Sequence, residues 1–125
     1  MQTDIILLGH GSRNETAARE LSELAATVAR LRPDCRICPA YLQFGDPLLA
    51  DAVTRSVQAG AERIVIIPVF LFAGSHVERA IPETMAVLRS QFPAVRMKVG
   101  RYLGPDRVLA DLIGSRIDEA VAERD

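Results

Sequence analysis

Two histidines are the residues best suited to chemistry in this chain. They are the only histidines among 125 residues, with His10 in the segment Gly9–Arg13 and His76 in the segment Ala73–Pro82. Imidazole binds cobalt, nickel, iron and zinc ions, and its ordinary pKa near neutrality also lets it accept protons. A lone histidine at a strand end is more often a hydrogen-bonded structural residue. The pair therefore indicates metal handling or proton transfer without deciding between these and a structural role.

Each histidine segment follows one of four predicted strands. The strand candidates, rich in Ile, Val and Leu, are residues 4–9, 36–44, 63–72 and 95–100, and helical stripes alternate with them. The apolar run Ile64–Ile67 indicates a parallel sheet buried on both faces. With right-handed crossovers, the pattern predicts a three-layer α/β/α fold with a mostly parallel four-stranded sheet. Such sheets bind ligands beyond the carboxyl ends of their strands, which favours the two histidine segments as the site.

Proline positions and apolar spacing predict the helix boundaries. The first helix is expected to end before Pro33. Asp46 and Pro47 have the types of an N-cap and a first helical residue, and Pro82 and Pro105 are expected to open the third and fourth helices. The predicted stripe of the first helix is Ala17, Leu21, Leu24, Val28 and Leu31, and that of the fourth is Leu109, Leu112, Ile113 and Ile117.

Length and composition predict one domain over residues 1–125. The chain is 49% hydrophobic and 25% charged, with a formal net charge of −1, which disfavours a nucleic-acid binder built on bulk positive charge. The first apolar run is too short for a signal peptide, and no run is long enough to span a bilayer. We therefore expect a cytoplasmic protein with neither a nucleic-acid nor a membrane partner.

Cys35 and Cys38 have the spacing of a redox dithiol or of half a zinc site. They fall in a predicted strand, where residues three apart point to opposite faces, and the segment offers no further zinc ligands. We expect two ordinary reduced thiols.

The segment Gly9–Asn14 allows three other interpretations. Asn14 replaces the third glycine of the dinucleotide-binding fingerprint, and Gln43 stands where that fold carries an acid, so a Rossmann cofactor site is disfavoured. Ser12 lacks the flanking pattern of a nucleophile elbow. The loop amides and Arg13 remain able to hold a phosphate at the start of the first helix. The glycines most simply permit a tight turn with positive φ.

Two motifs in this chain resemble the short form of the CbiX family. They are Ile6–Arg13, reading ILLGHGSR, and Pro68–Val77, reading PVFLFAGSHV, the latter followed by Ile81–Pro82. Members of that family are sirohydrochlorin chelatases, related to the class II chelatases that include ferrochelatase. The resemblance implies insertion of Co²⁺, or alternatively Fe²⁺ or Ni²⁺, into sirohydrochlorin. Further matching segments are Tyr41–Leu42, Asp46–Pro47 and Leu103–Gly104, so the resemblance covers almost the whole chain.

The same resemblance implies that His10 and His76 bind the metal and carry the catalysis. Insertion needs a metal with open coordination positions and a base for two pyrrole protons, and imidazole can serve both needs. The metal is then a substrate, and no organic cofactor is implied. Sirohydrochlorin carries many carboxylates, which calls for hydrogen-bond donors. The candidate substrate-binding donors are Ser12, Arg13 and Ser75, and Val69–Phe72 is a candidate apolar wall for the macrocycle.

Two positions depart from the family pattern. Gln43 stands where members usually carry a glutamate, and Ala80 stands where they carry an aspartate. Their loss removes carboxylates that favour a dication and accept protons, and Glu78 or Asp46 is the candidate replacement by proximity in sequence. The departures leave open a second hypothesis, a non-catalytic carrier of metal or tetrapyrrole. The short chain also resembles one half of the two-lobed chelatases, which implies a homodimer that completes the cleft.

Overall fold

A computed structural model describes residues 1–124, apart from the side chains of residues 76 and 77. Strands and helices alternate along the chain, and the strands pair in parallel in the order β2-β1-β3-β4. The elements are β1 (Thr3–Gly9), α1 (Glu15–Leu31), β2 (Arg36–Tyr41), α2 (Leu49–Gln58), β3 (Arg63–Pro68), α3 (Ser75–Gln91), β4 (Arg96–Val99) and α4 (Arg107–Ala122). The predicted α/β fold with its four-stranded parallel sheet is confirmed.

Two apolar clusters lie on opposite faces of the sheet. In the larger one, Ile6 of β1 packs with Val53 of α2 and Met85 of α3, all three fully buried. On the other face, Leu7 of β1 packs with Leu21 of α1. Successive side chains of a strand point to opposite faces, so these neighbours in β1 serve different layers. Helices α2 and α3 therefore share one face, and α1 covers part of the other.

The predicted helix α1 is confirmed, but its predicted apolar stripe is partly wrong. Leu21 and Ala25 are buried, whereas Ala17, Leu24 and Leu31 are exposed. Steps of three and of four residues both fit a helical period of 3.6, so the sequence pattern allowed either choice. Packing against β1 and β2 selects the face that α1 buries.

The predicted start of α3 at Pro82 is wrong. The helix begins at Ser75, and Pro82 lies inside it. A proline within a helix leaves one carbonyl group without its usual amide donor. The adjacent Ile81 and Met85 are buried in the larger cluster, and this packing stabilises the helix across the proline. His76 consequently lies in the first turn of α3 and not in a loop.

The predicted starts of α2 and α4, at Pro47 and Pro105, are each two residues too early, since the helices begin at Leu49 and Arg107. Leu48 is the N-cap of α2, so Pro47 lies just before the helix. Asp106 is the N-cap of α4, and its carboxylate accepts a hydrogen bond from the Val108 amide at 2.9 Å. Pro105 therefore also precedes its helix. At α4, side-chain capping of a free backbone amide sets the start, since that bond satisfies a donor that the helix cannot.

Helix α4 is packed unlike the other three helices, because none of its residues is buried. Its predicted apolar stripe exists, but the side chains of Leu112, Ile113 and Ile117 are exposed. Within residues 1–124, no helix is both long and apolar enough to cross a bilayer.

Candidate functional site

The carboxyl end of β1 is held from both sides by backbone hydrogen bonds. The amide of Val69, after β3, donates to the carbonyl of Leu8 at 2.8 Å. The amide of Gln43, after β2, donates to the carbonyl of His10 at 3.3 Å. Since β1 lies between β2 and β3, these bonds place His10 at the centre of the carboxyl edge of the sheet.

The two glycines beside His10 are required for different reasons. Gly11 has a φ of 102°, and a Cβ there would lie 1.5 Å from the carbonyl oxygen of Gln43. The predicted positive φ is thus confirmed at Gly11. At Gly9 the limit is packing, since a Cβ would lie 2.8 Å from Cδ2 of Leu21. Neither neighbour of His10 therefore has room for a side chain unless the surrounding atoms shift.

The side chain of His10 is exposed at the mouth of an open pocket. Its ring meets that of Phe70 edge-on, with centroids 6.2 Å apart and planes inclined at 69°. The pocket has a volume of about 590 Å³. Its described lining comprises His10, Val69, Phe70, Leu71, Phe72, Gly74 and Ser75. Among the predicted site residues, the structure thus brings together His10, Ser75 and the apolar segment after β3.

That apolar segment divides into an inner and an outer part. Val69 and Phe70 are half-buried and pack on the two core clusters. Leu71 and Phe72 extend outward, and the side chain of Phe72 is 80% exposed. The strand predicted to reach Phe72 ends at Pro68, so these residues form a loop. Exposed apolar side chains grouped at a pocket are typical of ligand-binding surfaces.

Ser12 and Arg13 lie beside the His10 pocket and are absent from its described lining. The hydroxyl of Ser12 accepts a hydrogen bond from the Asn14 amide at 3.0 Å, and the Asn14 side chain caps α1 by accepting from the Thr16 amide at 2.8 Å. The guanidinium carbon of Arg13 lies 4.5 Å from the centre of the Phe44 ring. Phe44 has a φ of 48°, which is unusual for a residue with a side chain. The Ser12 hydroxyl thus stabilises the turn, and the Arg13 guanidinium stacks on the Phe44 ring.

The second predicted ligand, His76, falls on a side chain outside the described residues. Its backbone follows directly after Ser75, which lines the pocket with His10. The prediction that two imidazoles share one site stays a prediction. Among the described side chains, no group of three or more His, Cys, Asp and Glu residues is arranged to hold a metal ion.

The two candidate replacement carboxylates lie away from the described lining of the His10 pocket. Glu78 lines a neighbouring pocket. Asp46 is 88% exposed, and its carboxylate lies 3.7 Å from the guanidinium of Arg55. Gln43 is near His10 through its backbone amide, and its side chain is exposed. The replacement hypothesis therefore gains no support from the described pocket lining.

A neighbouring pocket of about 440 Å³ contains residues that sequence reasoning missed. It shares Phe70 and Phe72 with the His10 pocket, and it adds Arg101 and Tyr102 after β4. Histidine follows only the first and third strands, so residue type alone does not point to the end of β4. The same rule about carboxyl ends applies to β2 and β4, and it would have found Tyr102 and the aromatic platform at Phe44.

The cysteines have the properties of ordinary thiols. Both are free, and Cys35 lies just before β2 while Cys38 lies within it. Burial raises the pKa of the Cys38 thiol, and the nearby Asp4 carboxylate adds to this effect. A raised pKa disfavours the thiolate that redox chemistry and metal binding need.

Together these features define a small parallel α/β domain with an open, histidine-bearing pocket at the carboxyl edge of its sheet. The family model described as CbiX matches residues 4–120. The chain belongs to the CbiX family.

Relatives of two lengths are similar to this chain. The sirohydrochlorin cobaltochelatase of the archaeon Methanococcoides burtonii is 30% identical, and the match covers 94% of this chain and 95% of the relative. The chloroplastic sirohydrochlorin ferrochelatase of Arabidopsis thaliana is also 30% identical over 94% of this chain, but the chain spans only 52% of its length. A crystal structure of a CbiX protein of cobalamin biosynthesis from Marinobacter aquaeolei superposes with a TM-score of 0.83 at 25% identity, covering 95% of this chain and 97% of that one.

Proposed function

We propose that this chain is a metallochelatase that inserts a divalent metal ion into sirohydrochlorin. The observation that carries the proposal is the placement of His10, exposed in an open pocket beside an apolar wall, in a chain of the CbiX family. Insertion exchanges one dication for the two pyrrole protons of the ring. The reaction therefore needs a loosely held metal, a proton acceptor and a surface that binds a flat macrocycle.

In this proposal, His10 binds the incoming metal and accepts a pyrrole proton, with His76 as the second imidazole. Two neutral nitrogen ligands leave most coordination positions of the metal open to the ring nitrogens. The edge-on contact with Phe70 limits the orientations of the His10 ring without occupying it by a hydrogen bond in the described structure. Its nitrogen atoms stay available to metal or proton.

The substrate would lie against Leu71 and Phe72. Both side chains are exposed, so a macrocycle that covers them gains the free energy of burying apolar surface. The peripheral carboxylates of sirohydrochlorin need donors at the rim of the pocket. Ser75 lies in the pocket lining, and the guanidinium of Arg13 is presented on the Phe44 ring. Ser12 contributes only if its hydroxyl, an acceptor within its own turn, also donates to the substrate.

We propose Co²⁺ as the preferred metal, with Fe²⁺ and Ni²⁺ as alternatives. A relative that matches this chain over nearly all of both lengths is named a cobaltochelatase, and a longer one is named a ferrochelatase. Gln43 and Ala80 stand where family members usually carry carboxylates, so the metal site is expected to be poor in negative charge. A nitrogen-rich site favours later first-row metals over those that prefer oxygen ligands.

We also propose a domain organisation, an oligomeric state and a location for the enzyme. Residues 1–125 would form one chelatase-like domain, equivalent to half of the longer relatives. A second copy would complete the macrocycle cleft as a homodimer. A cytoplasmic location suits the two free thiols, which stay reduced there.

A second candidate function, a non-catalytic carrier, rests on a specific observation. No carboxylate lines the His10 pocket among the described side chains, although two imidazoles alone can bind metal or tetrapyrrole. Such a protein would bind both without accelerating insertion.

The test follows the visible spectrum of sirohydrochlorin with Co²⁺, Fe²⁺ or Ni²⁺, for the wild-type protein, His10→Ala, His76→Ala and the double variant. General-base catalysis is typically worth about 10²–10⁴-fold, so each single variant should lose a rate factor of this order. Melting temperatures check that each variant folds, and His10→Ala should fold normally because that ring is exposed. Tight binding without acceleration by the wild-type protein would identify the carrier. Wild-type rates equal to the uncatalysed rate, with no binding, would refute both functions.

A further inference from the structure

The segment after β4 is fixed against the segment after β3 at the carboxyl edge of the sheet. We call this segment, residues 100–106, the β4 loop. The amide of Leu103 donates a hydrogen bond to the carbonyl of Phe70 at 3.0 Å. Gly104 packs so closely on the carbonyl group of Leu71 that a Cβ at this position would collide with it. These contacts hold the β4 loop beside the exposed apolar wall after β3.

The β4 loop and the first half of α3 border the pocket of about 440 Å³ that adjoins the His10 pocket. We call it the second pocket. It shares Phe70, Phe72 and Gly74 with the His10 pocket, and most of its other lining residues are apolar. A flat ligand that lies across Phe72 therefore reaches both pockets.

Arg101 is the only arginine or lysine in the described lining of the two pockets. Its side chain is exposed, and it forms no salt bridge with a carboxylate among the described residues. The acids of the second pocket are Glu78 and Asp106, and Asp106 already accepts a hydrogen bond from the Val108 amide. A ligand carboxylate in this pocket is attracted by Arg101 and repelled by both acids, so its stable position lies at the guanidinium.

The position of Arg101 relative to His10 suits a macrocycle. Arg101 follows β4, which lies two strands from β1 in the sheet, or about 10 Å at the usual strand spacing. This separation is comparable with the distance from the centre of a tetrapyrrole to its peripheral carboxyl groups. Arg13 stacks on Phe44 after β2, on the other side of β1. The two guanidinium groups therefore flank His10 along the edge of the sheet.

We propose that Arg101 is a further substrate-binding residue, which holds a peripheral carboxylate of sirohydrochlorin while the edge of the macrocycle occupies the second pocket. This role rests on the proposed function, because it requires the metal centre to lie at His10. Tyr102 lines the same pocket and adds an aromatic ring to the surface that the edge of the macrocycle covers. Arg13 and Arg101 then bind carboxylates on opposite sides of the substrate, which fixes its rotation within the ring plane.

The first test titrates metal-free sirohydrochlorin into the full-length protein and follows its absorbance. In Arg101→Gln the dissociation constant should rise on the order of tenfold, because a hydrogen bond between charged groups is lost. The melting temperature should stay unchanged, since the side chain is exposed. Arg96→Gln is the matched control, because Arg96 is exposed at the amino end of β4. It removes the same charge at the opposite edge of the sheet and should leave binding unchanged.

Further measurements separate a charge contact from a structural effect. Raised ionic strength should narrow the difference in affinity between wild type and Arg101→Gln, because salt screens exposed charges. Arg101→Lys keeps the charge and should recover part of the affinity. In the Co²⁺ insertion assay, KM should rise more than kcat falls in Arg101→Gln, since the guanidinium binds the periphery of the substrate and not the metal.

The possible failures of this role and of the proposed function are distinct. Equal dissociation constants for wild type and Arg101→Gln, or an equal rise in Arg96→Gln, would overturn the role of Arg101. The proposed function would then stand if insertion still depends on His10. Loss of kcat in Arg101→Gln with unchanged KM would also overturn the role, because Arg101 would then act in the chemistry and not in binding. A wild-type protein that binds no sirohydrochlorin would refute the proposed function and this role together.

Discussion

Two loops meet at the His10 pocket but are held differently. They are the β1 loop, residues 10–14, and the β3 loop, residues 69–74. The β1 loop is bonded to the segment after β2, and at Gly11 it leaves no room for a Cβ. The β3 loop is anchored at Val69, and then extends Leu71 and Phe72 into the open. At Gly74 a Cβ would meet nothing within 4 Å.

This difference matches two separate tasks. A group that binds metal and moves protons must be held within a fraction of an ångström, which a bonded turn between strands provides. A surface for a large flat ligand needs exposed apolar area more than fixed geometry. The β1 loop therefore positions the candidate chemistry, and the β3 loop supplies area for binding.

The largest effect should come from adding a side chain at Gly11 in the β1 loop. In Gly11→Ala, the new Cβ would collide with the Gln43 carbonyl oxygen at a positive φ that alanine disfavours. We expect the free energy of unfolding to fall by more than about 1 kcal/mol. Displacement of His10 by about 1 Å would lower the insertion rate on the order of 100-fold.

The matched control for that variant is Gly74→Ala in the β3 loop. Its backbone is extended and its surroundings are empty, so stability should change by less than about 0.5 kcal/mol. Urea unfolding and the insertion assay measure both variants. Equal losses in the two variants would mean that the loops do not differ as described.

An intermediate effect should come from removing the exposed wall. In Phe72→Ala, stability should be unchanged because the ring is outside the core, whereas sirohydrochlorin should bind about tenfold more weakly or worse. An absorbance titration measures the dissociation constant. Leu31→Ala, at a similarly exposed position of α1, should leave the dissociation constant unchanged. Unaltered affinity in Phe72→Ala would remove the β3 loop from the binding surface.

The smallest effect should come from removing the Phe44 ring that lies beneath the Arg13 guanidinium. An exposed cation–π contact is worth about 0.5–1 kcal/mol, so Phe44→Ala should weaken sirohydrochlorin binding about two- to fivefold. Phe44→Tyr keeps the aromatic face and should restore binding. Raised ionic strength should reduce the affinity of the wild-type protein for sirohydrochlorin. It should also narrow the difference in affinity between wild type and Phe44→Ala, because the contact positions a charge for substrate carboxylates. If Phe44→Ala binds as wild type at low salt, Arg13 is not held there for the substrate.

Some parts of this site could be read from residue types and order. His10 and Ser75 lie in the segments that follow two strands predicted by the apolar pattern, and parallel strands present their carboxyl ends at one edge. The same rule would place Phe44 and Tyr102 near this edge, but it does not predict the contact of Phe44 with Arg13 or the place of Tyr102 in the neighbouring pocket. Those contacts depend on how the segments after β2 and β4 turn across the edge, which local propensity does not encode.

The sequence by itself determined the alternation of strands and helices, the tight turn at Gly11 and the membership in the CbiX family. These follow from periodicity, backbone sterics and motifs, all of which are local. Only the tertiary structure decided that α3 runs through Pro82, since buried neighbours outweigh a lost hydrogen bond. It alone decided that α1 buries residues against the sheet while no residue of α4 is buried, because an apolar stripe does not say which surface it meets.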